Sequence, residues 1–246
     1  MQENVCLIVP CYNEAARLDL PAFETAAAAS GLRVVFVNDG STDGTADLIR
    51  RHTSDRLWLI DLDRNVGKAE AVRAGMIRAA GLPFYGQLDW IGFWDADLAT
   101  PLAELPRFIA FQSLVGVSAD AIFGSRVSRL GSRIRRKALR HVLGRLFVTV
   151  TSTVLGTAAY DSQCGAKIFR PAIVGRAFGE PFITRWLFDL EILLRLGDTP
   201  VLEYPLTDWE DVGGSKMKIL PNLWRTFRDV WRMRAKYRGR QARAGQ

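Results

Sequence analysis

Two aspartates, Asp95 and Asp97, stand one residue apart directly after a short apolar segment. The aromatic and β-branched residues of Trp90–Trp94 predict a buried strand, and Pro101 indicates that the chain turns soon afterwards. Two carboxylates this close repel each other unless a cation lies between them, and carboxylate oxygens are ligands that Mg²⁺ and Mn²⁺ prefer. The pair therefore predicts a divalent-metal site whose shell a diphosphate completes, although two solvated loop aspartates would have the same spacing.

The residues before Asp95 alternate predicted strands with predicted helices. Apolar runs at 5–9, 33–38 and 57–60 predict strands, and an alanine-rich helix is expected over 15–30. This order, with short connections, predicts an α/β fold with a mostly parallel central sheet flanked by helices on both faces. Ligands bind such sheets outside the carboxyl ends of the strands. The polar residues that follow the strands are Tyr12, Glu14, Asp39, Asn65, Lys68, Asp95 and Asp97.

Each of these loops also has an explanation without a ligand. Pro10–Glu14 would serve as a turn before a helix, Asp43 as the N-cap of the next helix, and Lys68 as a solvated lysine at a helix start. The sequence contains neither a Walker-type phosphate loop nor a dinucleotide-binding glycine pattern. Five loops that carry polar groups to one edge of a sheet nevertheless favour a shared ligand site over five unrelated turns.

The second half adds basic and amide side chains at loops. Arg126 follows a predicted strand, and its guanidinium suits phosphate oxygens. Residues 161–167 place an acid, an amide and a lysine in a short turn. Asp189 and Glu191 are two residues apart on a predicted helix, so at most one of them is expected to face a site. The glycine loop that ends in Ser215 and Lys216 could close over a phosphate.

Positive charge is concentrated at the end of the chain. The net charge is +7, of which the segment from Lys216 onward carries +9 and the remainder −2. Two basic amphipathic helices are predicted, one over Arg129–Arg145 that continues into the uncharged run Leu146–Tyr160, and one from Leu220 to about Tyr237. Both are expected to lie at an anionic membrane interface. A solvated helix face, or a nucleic-acid binder, would give a similar pattern.

The sequence also suggests a compartment. The uncharged run of 15 residues is shorter than the roughly 18–20 needed to span a bilayer, and the start of the chain lacks signal-peptide character. Three scattered cysteines without a Cys-x-x-Cys pair indicate free thiols in a reducing compartment. We therefore expect a cytoplasmic protein that is peripheral on the cytoplasmic face of the membrane.

Taken together, these motifs resemble those of family 2 glycosyltransferases with the GT-A fold. The resemblance rests first on residues 10–14, 37–43 and 95–97. Further motifs resemble the dolichyl-phosphate β-glucosyltransferase branch, to which the mannosyltransferases are close relatives. These further motifs are residues 65–68, 95–100, 161–167, 185–189, and 209–210 together with 214–216.

The resemblance implies a domain plan and a set of roles. A single GT-A domain would cover 1–215, with a nucleotide-binding half of about 1–100 and an acceptor half of about 101–215 that includes an interface segment at 129–160. A basic amphipathic helix and tail would follow over 216–246. The implied nucleotide-sugar contacts are Pro10, Tyr12, Glu14 and Asp39 for base and ribose, with Lys68, Asp95, Ala96 and Arg126 beside them. The implied phosphate or acceptor contacts are Gln163, Lys167, Arg185, Ser215 and Lys216. Asp97, with Asp95, would hold Mg²⁺ or Mn²⁺.

The implied reaction moves a sugar from a nucleoside diphosphate to a polyprenyl or dolichyl phosphate, with inversion at the anomeric carbon. Ala99 stands where the mannosyltransferase branch usually has Gln, which favours glucose and UDP over GDP-mannose. The eukaryotic glucosyltransferases carry an N-terminal membrane anchor that this sequence lacks, so peripheral attachment is expected and a bacterial-type polyprenol is equally open. A phosphate acceptor needs no strong base, and Asp189 is the candidate if one is used.

Other functions remain compatible with the sequence. The same fold could use a sugar or another soluble acceptor, or GDP-mannose as the donor. The basic tail could bind nucleic acid, although no nucleic-acid-binding motif is recognisable and no such partner is expected. A catalytically silent nucleotide-sugar sensor is the remaining alternative.

Overall fold

A computed structural model describes residues 3–135, 149, 151, 153–157, 159–211 and 223–241. The strands are β1 Val5–Cys11, β2 Arg33–Asp39, β3 Leu57–Leu62, β4 Trp90–Trp94, β5 Ala121–Ser125, β6 Arg133–Arg135, β7 Ala166–Phe169, β8 Val201–Pro205 and β9 Asp208–Glu210. The helices are α1 Leu20–Ser30, α2 Thr45–Arg50, α3 Lys68–Arg78, α4 Leu105–Val115, α5 Pro171–Phe178, α6 Phe188–Leu196 and α7 Leu223–Gln241. Residues 149, 151 and 153–155 are also helical.

Seven strands form the central sheet in the order β3-β2-β1-β4-β7-β5-β8. The four strands from β3 to β4 are parallel to one another, and β5 and β8 are also parallel. Alternate residues of each strand enter one of two apolar clusters, so that Leu7 packs with Phe23 of α1 while Ile8 packs with Met76 of α3. The predicted mostly parallel sheet with helices on both faces is therefore confirmed.

One strand breaks the parallel order. β7 lies antiparallel between β4 and β5, where Lys167 is opposite both Phe93 and Phe123. The strands approach closely here, because a Cβ added at Gly92 would lie 2.0 Å from the carbonyl oxygen of Lys167. β7 thereby carries the turn before it to the end of β4, where Asp95 and Asp97 follow.

The first helix begins later than expected. Arg17 and Leu18 donate backbone hydrogen bonds to the carbonyl of Glu14, which makes a turn rather than a helix over these residues. The Asp19 carboxylate accepts from the amide of Ala22 at 3.0 Å and caps α1, and a proline stands in the helix's first turn. The predicted helix over 15–30 is therefore wrong in its first five residues.

The basic helix predicted from Arg129 is also wrong in part, because Arg133–Arg135 is strand β6. This strand pairs in parallel with β9, in a register that sets Arg133 against Asp208 and Arg135 against Glu210. The two arginines form ion pairs with these carboxylates, at 2.6 and 3.4 Å, and the pairing satisfies the backbone. Residues 136–148 of the predicted helix lie outside the described residues.

The C-terminal helix was expected, and α7 spans Leu223–Gln241. Its residues Val230, Met233 and Tyr237 pack against Leu190 and Leu194 of α6. In the part of the chain that the structure describes, no helix is both long and apolar enough to cross a bilayer.

Candidate active site

Hydrogen bonds join the loop after β1 to the loop after β2. The backbone amide of Thr42 donates to the side-chain oxygen of Asn13 at 2.8 Å, and the amide of Asn13 donates to Ser41 Oγ at 3.0 Å. The amide of Glu14 donates to Thr45 Oγ1 at 2.9 Å. The two loops therefore form one unit, which presents Tyr12 with 40% of its surface exposed, just beyond Pro10 of β1.

Asp39, at the end of β2, is connected to the loop before α3. Its carboxylate accepts from the backbone amides of Val66 at 2.6 Å and Gly67 at 2.9 Å. Burial raises the pKa of Asp39, while these two donors and Arg185 oppose the shift. Each carboxylate oxygen already accepts one hydrogen bond. Asp39 therefore holds the loop before α3 in place, whether or not it also contacts a ligand.

Lys68, the first residue of α3, brings this loop to the end of β4. Its ammonium forms an ion pair with Asp95 Oδ1. Burial alone would lower the pKa of Lys68, but Asp95, Asp189 and Asp97 together raise it. The other oxygen of Asp95 faces Gly165, where an added Cβ would lie 1.8 Å from Oδ2. The carboxylate of Asp95 is therefore confined between Lys68 and the backbone of Gly165. The next residue, Ala96, is buried and precedes Asp97.

Asp97 is the less engaged of the two carboxylates. Its Oδ1 accepts from the amide of Ala99 at 3.1 Å. Burial, and then the neighbouring Asp95 carboxylate, raise the pKa of Asp97, so a cation between the two carboxylates would be stabilised electrostatically. Within the described ranges, no group of three or more His, Cys, Asp or Glu could hold a metal ion. Two carboxylates plus ligand phosphates are a usual shell for Mg²⁺, so these residues fit the expected cation.

Asp189, in the first turn of α6, forms an ion pair with a buried lysine. Lys167 Nζ lies 2.6 Å from Asp189 Oδ1 and also donates to the carbonyl of Cys164. The Lys167 ammonium is fully buried, about 5 Å from the ring centres of Phe93 and Phe123. Burial raises the pKa of Asp189, and Lys167 and Lys68 oppose the shift. Lys167 was predicted to contact phosphate; the structure shows it fully buried and paired with Asp189, and the phosphate contact stays a prediction.

Glu191 points away from this cluster, as the spacing from Asp189 predicted. It accepts hydrogen bonds from Arg195 and from the hydroxyl of Tyr237, each at 2.9 Å. The amide of Ile183 donates to its other oxygen at 2.8 Å. Glu191 therefore connects α6 to α7, while Asp189 faces the site.

Arg126, after β5, is bound by Asp161. Its Nε and Nη2 donate to the two carboxylate oxygens at 2.7 and 2.8 Å, and its guanidinium lies 5.3 Å from the ring centre of Trp209. Burial alone would lower the pKa of Arg126, but Asp161 raises it above its ordinary value. Nearby, the hydroxyl of the buried Ser162 and Nε2 of Gln163 have no hydrogen-bond partner among the residues that the structure describes. The turn at 161–167 is therefore polar, and its Asp161 binds the guanidinium of Arg126.

Arg185 covers the loop that Asp39 binds. Its Nε donates to the carbonyl of Val66 at 2.9 Å, and a Cβ at Gly67 would lie 2.7 Å from that nitrogen. Arg185 is exposed, as is Trp186 beside it. The structure thus brings together the predicted residues from β1, β2, α3, β4 and α6. Ser215 and Lys216 lie outside the described residues.

Sequence reasoning missed Arg17 and Asp161 as members of the site. Arg17 pairs with Glu14, with Nη2 2.6 Å from Oε1. The hydrogen bond to Glu14 raises the pKa of Arg17, and Asp97 and Asp95 add to that shift, which places the guanidinium near the carboxylate pair. The spacing of Glu14 and Arg17 was the available signal. For Asp161 the signal was the polar turn at 161–167, but its pairing with Arg126, 35 residues away, had no local signal.

The model for glycosyl transferase family 2 matches residues 6–174. A dolichyl-phosphate beta-glucosyltransferase of Trichomonas vaginalis is 31% identical, over 86% of this chain and 65% of the relative. An enzyme of the same name from Dictyostelium discoideum is 29% identical, over 96% of this chain and 76% of the relative. The chain thus spans slightly under two thirds of the first relative's length and about three quarters of the second's.

Solved structures share the fold. Glucosyl-3-phosphoglycerate synthase of Mycobacterium tuberculosis, crystallised with Mn²⁺, UDP and glucosyl-3-phosphoglycerate, aligns with a TM-score of 0.66 at 15% identity, over 96% of this chain and 80% of that one. Mannosyl-3-phosphoglycerate synthase of Rubrobacter xylanophilus aligns with a TM-score of 0.65 at 14% identity, over 99% and 76%. At these identities the likeness concerns the fold, and the expected GT-A type is confirmed. With more than half of its length matched by the family model and its polar loops gathered at the ends of β1, β2 and β4, this chain belongs to glycosyl transferase family 2.

Proposed function

We propose that this protein is a metal-dependent inverting glycosyltransferase acting at a membrane surface. The sugar, with glucose favoured, would pass from a nucleoside diphosphate, with UDP favoured, to a polyprenyl or dolichyl phosphate. The observation that carries the proposal is the continuous path from Asp39 through Gly67 and Lys68 to Asp95, which joins three loops at one rim. The names of the relatives support a dolichyl phosphate acceptor, and UDP in the neighbouring structure supports the donor.

The site residues have distinct tasks in this reaction. Asp95 and Asp97 would hold Mg²⁺ or Mn²⁺, which would neutralise charge on the leaving diphosphate. The Lys68 ammonium, beside Asp95, contributes fixed positive charge at the same place. An acceptor phosphate has a second pKa near ~6, so it attacks at neutral pH without losing a proton to the protein. Asp189, held by Lys167, would then stabilise the positive charge of Lys68 electrostatically, and a base would not be needed.

The proposal also places the protein on the cytoplasmic face of a membrane, as a peripheral protein. A polyprenyl phosphate presents its phosphate at the bilayer surface, so the enzyme must reach that surface to react. The cysteines Cys6, Cys11 and Cys164 are all free and buried, which agrees with a reducing compartment such as the cytoplasm.

Ligand-dependent thermal stability tests the donor. We expect UDP-glucose with Mn²⁺ to raise the melting temperature by roughly 5–10 °C at a hundredfold excess over Kd, because that excess adds about 2.7 kcal/mol to the free energy of unfolding. GDP-mannose, and UDP-glucose with a chelator, serve as controls. A transfer assay then compares a short-chain polyprenyl phosphate with phosphoglycerate. Transfer to phosphoglycerate alone would overturn the lipid acceptor, and no shift with any UDP-sugar would overturn the donor.

Substitution of Asp97 tests the metal. We expect Asp97→Ala to abolish nearly all transfer while leaving the melting temperature of the free protein within a few degrees, because Asp97 makes a single hydrogen bond in the described structure. It should also remove the Mn²⁺-dependent part of the thermal shift. Retention of more than about a tenth of the activity would contradict a metal role for Asp97.

A further inference from the structure

The C-terminal helix α7 has an inner face that the protein already uses. Val230, Met233 and Tyr237 are buried against α6, at the three- and four-residue spacing of one helical face. The hydroxyl of Tyr237 donates to Glu191, and Arg234 on the same side donates to the carbonyl of Val154. Most of the apolar side chains described on α7 are therefore committed to the fold and cannot enter a bilayer.

The outer face of α7, defined here as Arg228, Trp231, Arg232, Ala235 and Arg238, has a different composition. These residues recur at the helical spacing and all are exposed. Trp231 has 56% of its surface exposed, although it is a large aromatic side chain. Among the described residues, neither Arg232 nor Arg238 forms an ion pair, whereas Arg228 lies 3.9 Å from Asp229. The face thus carries at least two uncompensated cations around one exposed indole.

We propose that this outer face docks the protein on an anionic lipid surface. The arginines would contact lipid phosphates, and Trp231 would enter the headgroup region, where an amphipathic ring is most stable. The positive charges of this face that are unpaired among the described residues favour a polyanion as its partner. A membrane is favoured over other polyanions because of the lipid acceptor proposed above, so this part of the inference rests on the proposed function.

The position of the outer face suits this task. α7 packs on α6, and the first turn of α6 supplies Asp189, which pairs with Lys167. The docking face therefore lies one helix away from the site. Docking in this way needs no insertion of an apolar helix face, so attachment would be electrostatic, reversible and sensitive to salt.

Vesicle binding in the absence of donor and acceptor tests the inference. Wild-type protein should co-sediment with vesicles of phosphatidylglycerol and phosphatidylcholine, less with phosphatidylcholine alone, and less at 0.5 M salt. Each Lys or Arg at an anionic surface strengthens binding by about fivefold, so Arg232→Glu with Arg238→Glu should weaken binding by more than about 25-fold. The matched control reverses two exposed arginines outside α7, Arg51→Glu with Arg78→Glu, and should bind as tightly as the wild type to within about threefold.

Quenching by brominated lipid reports Trp231 directly. The wild type should lose part of its tryptophan fluorescence on brominated anionic vesicles, and Trp231→Phe should lose much less. Equal binding by the two double variants, or equal quenching in Trp231→Phe, would overturn the inference. So would retention by single-stranded RNA, at physiological salt, of a protein that vesicles do not retain. Transfer to a short-chain acceptor in detergent is measured in parallel, so that failure to dock and failure of the proposed reaction are told apart.

Discussion

At the residue scale, the position of Asp95 depends on a neighbour that has no side chain. Lys68 binds one oxygen of the carboxylate, and the other lies against the backbone of Gly165. Gly165 belongs to the turn at 161–167, which Asp161 also organises by binding Arg126. A glycine 70 positions after Asp95 in the chain therefore helps to fix its carboxylate, and a small change at Gly165 should alter the metal position.

We expect Gly165→Ala to lower the transfer rate by at least tenfold. The new Cβ would lie 1.8 Å from Asp95 Oδ2, so the carboxylate must move, and a shift of about 1 Å in a catalytic group can reduce the rate about 100-fold. Gly81→Ala is the control, because nothing lies within 4 Å of the position of its added Cβ. Steady-state kinetics and the Mn²⁺ concentration for half-maximal rate measure the effect. Full activity in Gly165→Ala would show that the position of Asp95 is not critical.

The buried pair of Lys167 and Asp189 should dominate local stability. Lys167→Met leaves a buried carboxylate without its cation, and we expect it to lower the free energy of unfolding by about 3–5 kcal/mol. The double variant Lys167→Met, Asp189→Leu removes both charges and should recover most of that loss. Urea unfolding of the wild type, both single variants and the double variant gives the coupling. Additive losses in the double variant would mean that the two side chains do not interact as described.

At the element scale, the loop between β3 and α3 is held from two sides. Asp39 at the end of β2 binds the amides of Val66 and Gly67, and Arg185 before α6 binds the carbonyl of Val66. α3 begins immediately after this loop with Lys68. The placement of Lys68 beside Asp95 is therefore a property of three elements and not of the loop sequence alone.

Substitution of Arg185 distinguishes a role in shaping this loop from a role in binding the acceptor. Removal of a charged hydrogen bond is expected to cost about 1.5–3 kcal/mol, so Arg185→Gln should lower kcat/KM roughly 10- to 100-fold. If Arg185 shapes the loop, the KM for the donor rises. If it binds the acceptor phosphate, the KM for the acceptor rises instead. Arg176→Gln is the control, since Arg176 also donates to a backbone carbonyl, that of Leu196, and is not among the site residues. Unchanged kinetics in Arg185→Gln would exclude both roles.

The sequence predicts those elements whose conformation is determined by neighbouring residues in the chain. β1, β2, β3 and β4 are apolar runs with clear ends, and the site residues of the first half simply follow them. The insertion of β7 between β4 and β5 has no local signal, so the burial of Lys167 could not be foreseen. The strand β6 looked helical because its arginines follow an amphipathic spacing, whereas its conformation depends on pairing with β9, 75 residues later in register.

At the scale of the whole molecule, the three cysteines lie inside the fold. Cys6 and Cys11 belong to β1, and Cys164 lies in the turn before β7. Burial raises the pKa of Cys6 to about 12, and burial also raises the pKa of Cys11 and of Cys164. A thiolate is the reactive form of cysteine, so the native protein should be nearly inert towards thiol reagents.

Thiol titration measures this protection. With Ellman's reagent at pH 8, we expect almost no reaction of the native protein within minutes, and release of three equivalents in guanidinium chloride. The rate of the slow native reaction should follow opening of the sheet, because Cys6 lies between β2 and β4, and Cys11 is paired with Asn38 of β2. Rapid labelling of one thiol in the native state would show that part of the site opens independently.

The antiparallel strand β7 also limits how the chain can be divided. A shortened protein that stops before Ala166 would leave the hydrogen-bonding edges of β4 and β5 bare, and bare strand edges pair with other chains. It would also lack the glycine backbone against which Asp95 rests. The front half expressed by itself should therefore aggregate instead of yielding a soluble donor-binding module, whereas a cut after Phe169 would, in the central sheet as described, leave bare only the edge of β5 that pairs with β8.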